Sequence, residues 1–597
     1  MQEIQQVVGQ QEQKQTASSS ALMVHGRPIR PWIVLISLVF GFFMALLDAT
    51  IVNIAIPSIQ SALKTDLPTV SWTLNAYNLV FAVLLITVGR FADQYGRKRL
   101  FMIGMIIFSI GSLLCALAET FGSLTGLPAI NWLIAFRALQ AIGAAGLNPI
   151  SLAIIISIFP PKQRGAAIGV WGALSGLAAA VGPILGGFLV ENFDWRWIFF
   201  VNLPFCLIGL IMVWLNVPET RDIRVSKHID ILGALTLSLA IFCVVLAIIE
   251  GNAWGWASLP ILSLFGLTVI SLIAFGIVEI KQADPMIDFA LFKAVSFTGA
   301  NLTMFLFGIA IQGAFLILVL YFINARGYDQ LHAAYALLPV PLAAFVVSAL
   351  SGRLSHRVNP GIMGIIGMVA ITIGFVLLCF INSDTAYIDV AWRSIFLGLG
   401  MGMLFQSQPA IALSEVPPAK LGVASGVFNT FRQIGFTLGV AVLISVFTGT
   451  LTPNLQTAQT HSVAIVNSHT ALPEQLRSGI ITGLQNSHTT SNQTSEAGSS
   501  GSTTQSVDLT KLADKLPPQV PVATREAIRS DLKVLGDQIS AEFLDQVTNS
   551  FKSAWWSASI FALSGVLAAL IAFLLHRPKA PASEDAKREA QAHASLG

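Results

Sequence analysis

An all-α protein that crosses a membrane many times is what this sequence predicts, on three observations. Hydrophobic residues make up 54% of the 597-residue chain and charged residues only 11%, where soluble domains carry roughly 25%. Mean hydropathy is +0.72. Apolar runs of about 20 residues, the length a helix needs to cross a bilayer, recur along the whole chain.

Apolar runs bounded by charges and by Pro/Gly clusters give about fourteen spans. They fall at 32–56, 69–89, 100–118, 129–157, 165–190, 198–217, 230–250, 258–278, 296–322, 332–352, 361–381, 389–413, 422–446 and 553–575. With the amino terminus inside, the inner connections hold Arg90, Arg97, Lys98, Arg99, Lys162, Arg164, Arg221, Arg224, Lys227, Lys281, Lys293, Arg353, Arg357 and Lys420. The short outer ones hold only Lys64, Arg196 and Arg326. That bias is the positive-inside asymmetry. An odd count would reverse the later loops and spoil it, so both tails, 1–31 and 576–597, are expected in the cytoplasm and the protein in the cell membrane. The Gln-rich start has no apolar core of a signal peptide, which leaves the first span as an uncleaved signal anchor.

One connection is long. Residues 448–552 are expected outside the membrane. Their middle, NSHTTSNQTSEAGSSGSTTQS, is polar low-complexity sequence expected to be disordered. After it, REAIRSDLKVLGDQISAEFLDQV has the spacing of one or two outer helices. The insertion is either a tolerated loop or a lid or docking element.

Several function classes fall away. A net charge of +3 spread over short loops offers no face for nucleic acid. Cys115, Cys206, Cys243 and Cys379 lie inside apolar runs without CxxC spacing, so neither metal nor redox chemistry is indicated. There is no Walker loop, HExxH or GxSxG, and an enzyme is not expected. GLGMGM (Gly398 to Met403) is a packing pattern and not a nucleotide loop. A faint repeat links GRFADQ after the second span to GRLSHR (Gly352 to Arg357) after the tenth. If 230–278 is an inserted pair, these places are equivalent in two six-helix halves, 32–217 and 296–575.

The stretch GRFADQYGRKRL (Gly89 to Leu100) resembles the loop motif of the major facilitator superfamily. LDATIVNIAIP (Leu47 to Pro57), IAFRALQAIGAAG (Ile134 to Gly146), GALSGLAAAVGPILGG (Gly172 to Gly187), WRWIFFVNLP and GVASGVFNTFRQIGFTLGVA (Gly422 to Ala441) extend the match. Together they are similar to the drug:proton antiporter branch with fourteen spans. The resemblance implies two six-helix bundles plus two inserted helices and covers essentially every span but not the long outer loop.

Charges inside a bilayer point to function because each costs about 2.5–3.5 kcal/mol unless sheltered. Asp48 is the carboxylate well inside a span and is expected to face a water-filled cavity. A sheltered carboxylate that gains and loses a proton is what a reversible carrier needs; a structural carboxylate bonded to neighbouring helices is the alternative. The resemblance assigns proton coupling to Asp48 and Arg137, with Ala141 standing where the family has glycine after Gln140; Arg137 as a plain helix tether is the other reading. Gly89 and Gly96 permit a tight inner turn. The resemblance makes Asp93 and Arg97 a charge relay at the inner gate, with Asp93 at the amino end of a helix in the other half. His356 stands at the aligned place in the second half, so the latch is one-sided. Arg432 is expected to serve structure or gating. Gly172, Gly176, Gly182, Pro183, Gly186 and Gly187 form the antiporter motif, whose small residues let helices approach closely.

The function this implies is proton-driven export of hydrophobic, drug-like compounds by alternating access, through a cavity lined by spans one, four, nine and twelve. Gln312, Gln406 and Gln408 are candidate substrate contacts. No cofactor is expected beyond the proton motive force. The partners are lipid, protons, small hydrophobic substrates and, in a Gram-negative host, a periplasmic adaptor. An uptake symporter would share the fold, and so would an exporter of one endogenous metabolite. Basic deep charges tilt the substrate toward neutral or weakly acidic lipophiles.

Overall fold

A computed structural model describes residues 23–24, 27–220, 230–282, 285, 287, 289–469, 472–491, 509–510, 512 and 522–575. Among them are fourteen helices long and apolar enough to cross a membrane. They are α1 Pro31–Leu63, α2 Thr69–Tyr95, α3 Arg97–Ala116, α4 Ala129–Ile158, α5 Pro161–Asn192, α6 Trp197–Asn216 and α7 Ile231–Gly251, then α8 Leu259–Lys281, α9 Val295–Ala325, α10 His332–Leu354, α11 Pro360–Leu378, α12 Tyr387–Ala412, α13 Leu421–Ser468 and α14 Thr524–Leu575. Each expected span overlaps one of them. Proline stands in the first turn of α1, α5, α8 and α11, where its missing N–H costs nothing. The Asp230 carboxylate accepts from the Gly233 N–H at 2.7 Å to start α7, and Asn359 accepts from the Gly361 N–H at 2.8 Å to start α11.

Helices α1 to α6 pack on one another, as do α9 to α14. The two sets meet along α2 with α13 and α5 with α10, joined by α4 with α13 and α5 with α12. Helix α7 packs on α8, α2 and α13, so the pair α7–α8 flanks one seam. Burial follows position: 83% of the apolar window of α4 is enclosed but only 22% of that of α8. An apolar exterior of that kind is a surface for lipid. All four cysteines are buried and free.

The seams are tightest at the end carrying the base-rich turns, here called the basic end. A β-carbon on Gly89 would overlap the Gly422 carbonyl of α13. In the pseudo-equivalent place, one on Gly169 of α5 would lie 2.7 Å from Gly352 Cα of α10. Gly89 lies inside α2 and Gly352 inside α10, so Gly89 does not make the tight turn expected of it; both glycines instead let the two halves meet through backbone.

The described residues of the long connection are mostly helical. Instead of separate outer helices, α13 runs 48 residues to Ser468, and the last helix runs as one piece from Val522 to Leu575. The part of α13 beyond residue 446 projects about 30 Å at 1.5 Å per residue. A third helix, Glu474–Ser491, completes the projection. Val466, Leu472, Ile480, Leu532, Leu535 and Ile539 form its own small core. Ser383 Oγ donates to Asp545 Oδ1 at 2.5 Å, and Lys552 Nζ donates to Asn382 Oδ1 at 3.0 Å, fixing its base to the α11–α12 connection. The helical spacing after the low-complexity stretch is borne out, but the extension of α13 and the helix Glu474–Ser491 are not evident from composition, because a solvated helix needs only a narrow apolar stripe. The low-complexity stretch opens as the last residues of the helix Glu474–Ser491, and the rest of it, from 492, lies outside the described residues with the two tails from 1 to 22 and 576 to 597.

Candidate functional site

The first constellation sits inside the α1–α6 half. Asp48 on α1 and Arg137 on α4 are each 0% exposed. Arg137 Nη1 donates to Asp48 Oδ2 at 2.5 Å and to Gln140 Oε1 at 2.6 Å, and Arg137 Nε donates to the Thr73 carbonyl at 3.1 Å. Asp48 Oδ1 accepts from Gln140 Nε2 at 2.9 Å and from Asn202 Nδ2 at 3.0 Å. Asn202 Nδ2 also lies 2.9 Å from Ser112 Oγ, which donates to the Phe199 carbonyl at 2.8 Å. The Tyr77 ring lies under the guanidinium, 4.2 Å from its carbon. Close approach of α3 to α4 makes this enclosure: a β-carbon on Gly111 would sit 2.6 Å from Gln140 Cα.

This corrects the expectation that Asp48 faces a water-filled cavity. The carboxylate is sealed within one half, between α1, α4 and α6. Such a pair is stable only as a pair, because removing one partner strands the other charge at a cost of about 3–5 kcal/mol.

The second constellation spans the seam at the basic end. Asp93 and Arg97 are 2% and 4% exposed. Asp93 Oδ1 accepts from Arg97 Nη2 at 2.8 Å and from the Gly422 N–H at 3.0 Å, and its Oδ2 accepts from the Val423 N–H at 3.0 Å. Arg97 Nη2 also donates to the Pro418 carbonyl at 2.6 Å. Asp93 thus sits on the amino end of α13, where free N–H groups and the helix dipole favour an anion. Both ends of the ion pair reach across to the other half.

Gly96, between α2 and α3, has φ +115°, and a β-carbon there would lie 2.6 Å from the Glu219 carboxyl carbon. Glu219 accepts from the Lys98 N–H at 3.0 Å and the Arg99 N–H at 3.2 Å, capping α3 from the end of α6. Sequence reading missed Glu219; the acid following the sixth span was the available signal. Gly96→Ala is expected to destabilise the protein by about 1–3 kcal/mol, the scale of a forced left-handed residue. The melting temperature in detergent measures it, and an unchanged value would show that the turn relaxes elsewhere.

The glycine motif of α5 divides into two faces. Gly172 and Gly176 face α10: a β-carbon on Gly172 would lie 2.7 Å from Ser348 Oγ, and one on Gly176 3.4 Å from Ala344 Cβ. Gly182 and Gly186 face α1 at Thr50 and Ile51. Pro183 lies inside the continuous helix and Gly187 is half-buried beside Gly186. The α10-facing stripe begins earlier than the motif, at Gly165 and Gly169, and Ser348 Oγ donates to the Gly169 carbonyl at 2.9 Å.

The three glutamines part company. Gln312 is exposed on α9, but Gln406 and Gln408 are 0% and 2% exposed. A β-carbon on Gly364 of α11 would lie within contact of Gln408 Nε2, so Gln408 is packed between α11 and α12, away from the seam. In this conformation neither α12 glutamine lines an open cavity, contrary to expectation. Arg432 is buried in α13 beside Phe436. No group of three or more His, Cys, Asp or Glu able to hold a metal occurs among the described residues.

Residues 38–440 match the Major Facilitator Superfamily. The chain belongs to that superfamily. Multidrug resistance protein 3 of Bacillus subtilis is 33% identical over 71% of this chain and 81% of its own length. The puromycin resistance protein of Streptomyces alboniger is 34% identical over 73% of this chain and 86% of its own. The tetracenomycin C resistance and export protein of Streptomyces glaucescens is 31% identical over 69% and 75%. With fourteen candidate spans, these relatives place the chain in the drug:proton antiporter family. Among solved structures, the human organic anion transporter MFSD10 aligns with TM-score 0.51 at 13% identity, covering 70% of this chain and 94% of that one. The proton:xylose symporter XylE aligns with TM-score 0.51 at 14% identity, covering 70% and 88%. At these identities the likeness concerns the fold alone. All of it fits a multi-pass membrane carrier of the superfamily.

Proposed function

We propose that this protein is a proton-coupled exporter of hydrophobic, drug-like compounds from the cell, working by alternating access between its halves. The observation that carries the coupling is the sealed Asp48–Arg137 pair, because it stores one intramembrane anion whose loss on protonation must be answered by movement. Direction is supported by the export and resistance proteins among the relatives and by the glycine stripe of α5. The positive-inside bias of the base-rich turns supports a cytoplasmic basic end, and both termini with it. The conformation described is then closed on the cytoplasmic side, with Asp93 latched to α13. Opening that side requires Asp93 to leave the Gly422 and Val423 amides and both glycine seams to part.

The cycle follows from charge balance. A proton entering from outside neutralises Asp48 and releases Arg137, the substrate leaves outward, and deprotonation to the cytoplasm restores the pair. The helical projection built on α13 and α14 stands on the outer side, where it shields the exit or receives an adaptor. No cofactor is required beyond the proton gradient.

Inside-out membrane vesicles with an acid interior test this reading. A panel of lipophilic dyes is expected to accumulate, with proton release from the interior, and a protonophore is expected to abolish both. Dye accumulation that survives collapse of the pH gradient would overturn proton coupling. Dye that leaves vesicles preloaded with it, under the same gradient, would point to uptake into the cell.

A further inference from the structure

The buried arginines of the spans are not treated alike. Arg137 has Asp48, and Arg97 has Asp93. Arg432 is 7% exposed, yet among the described residues it makes neither an ion pair nor a hydrogen bond, and its Nε is buried without an acceptor. Its guanidinium carbon stands 5.8 Å from the centroid of the Phe436 ring, a contact weaker than a charge pair and unable to use the five N–H donors of the fork. A cation in a span with no partner in its own protein marks the place of a ligand.

The position of Arg432 narrows that ligand. On α13, Ser425 Oγ donates to the Pro149 carbonyl of α4 at 2.9 Å, and Gly435 and Gly439 rest on Phe305 and Ile309 of α9. Arg432 is seven residues after Ser425 and three before Gly435, so helical spacing turns it between α4 and α9, toward the meeting of the halves. It lies about 16 Å along α13 from Leu421 at 1.5 Å per residue, half-way through a hydrocarbon core of about 30 Å. A lipid headgroup resides at the membrane surface, so lipid phosphate does not reach it. One turn earlier, Asn429 leaves its Oδ1 buried and unpartnered. One turn later an aromatic row begins: Phe436 meets Phe307 of α9 at 6.3 Å between centroids, and Phe307 meets Phe405 of α12 at 5.8 Å.

We infer that Arg432 anchors the acidic group of transported compounds, and that the preferred substrates are aromatic weak acids bound with carboxylate on the guanidinium and ring against the Phe436–Phe307 row. This rests on the exporter reading and adds its substrate class. It also replaces a gating role for Arg432 with a binding one.

Direct binding to the purified full-length protein tests it, using 1-naphthoate and its uncharged methyl ester as probes. Wild type is expected to bind the acid more tightly than the ester. Arg432→Gln is expected to weaken the acid about tenfold or more, the scale of a lost charge-assisted hydrogen bond, and to leave the ester within about twofold. Arg432→Lys is expected to fall between the two. Unchanged binding of naphthoate to Arg432→Gln overturns the anchor. So does equal loss of acid and ester, which would make Arg432 a structural tether, and so does a wild type that binds neither. The exporter reading stands or falls separately, on dye uptake in vesicles.

Discussion

Asp48→Asn is expected to lower gradient-driven dye accumulation in inside-out vesicles by about a hundredfold or more and to eliminate substrate-induced proton release. Asparagine keeps the shape and can still accept from Gln140 and Asn202 through one oxygen. It cannot neutralise Arg137, which is 0% exposed. The stranded guanidinium costs about 3–5 kcal/mol, so the variant should also melt earlier. That leaves two explanations for lost transport, coupling or folding, and a second variant separates them. Asp48→Asn combined with Arg137→Gln removes both charges, and replacing a whole buried pair is often neutral for stability. The double variant is therefore expected to recover the wild-type melting temperature and still show no coupled transport. Recovery of transport together with stability would reduce Asp48 to a structural carboxylate. Full dye accumulation and proton release in the single variant would place the carrier elsewhere.

Parts of this site were legible in the sequence because charge is rare in apolar runs. Asp48 and Arg137 can be found by asking which charges interrupt a span, whereas Asp93 and Arg97 lie between the spans 69–89 and 100–118 and stand out through the loop motif GRFADQYGRKRL that they belong to. The residues that complete the geometry were not legible in that way. Asn202 accompanies Asp48 from 154 positions away, and Ser112 is one of many hydroxyls on a span; uncharged polar residues are too common to single out without the packing. Glu219 looked like one more loop acid until the structure showed it on the amino end of α3. The α12 glutamines show the opposite error. Residues 406 and 408 lie about 200° apart on a helix, so spacing alone argues that both cannot face one cavity. In the projection, the apolar spacing through Leu532, Leu535 and Ile539 marks an outer helix in the sequence, and what it does not show is that this helix is continuous with the last span; the extension of α13 and the helix Glu474–Ser491 escape the sequence because their exposed faces are polar.

The seam at the basic end yields the other large effect. Gly89→Val is expected to cut turnover by about tenfold or more while leaving substrate binding and the packing within each half intact. A β-carbon at Gly89 would overlap the Gly422 carbonyl, and backbone cannot give way there without parting α2 from α13. Overpacking of this kind costs about 1–3 kcal/mol, enough to move a two-state equilibrium about 5- to 150-fold. That cost falls on the closed state alone, since the seam does not exist once the basic end opens. A cysteine placed at Ser425, which is 0% exposed and bonded to Pro149 across the halves, reports the shift. In a background with Cys115, Cys206, Cys243 and Cys379 replaced, Ser425→Cys should resist a membrane-impermeant maleimide applied from the basic end. Adding Gly89→Val should make it react. Normal transport with the cysteine still protected would show that the seam tolerates the side chain, and the glycine contact would then be packing without a part in the cycle. Reaction accompanied by lost turnover would mean that closure of this seam, set by backbone meeting backbone, is a step that every transported molecule must await.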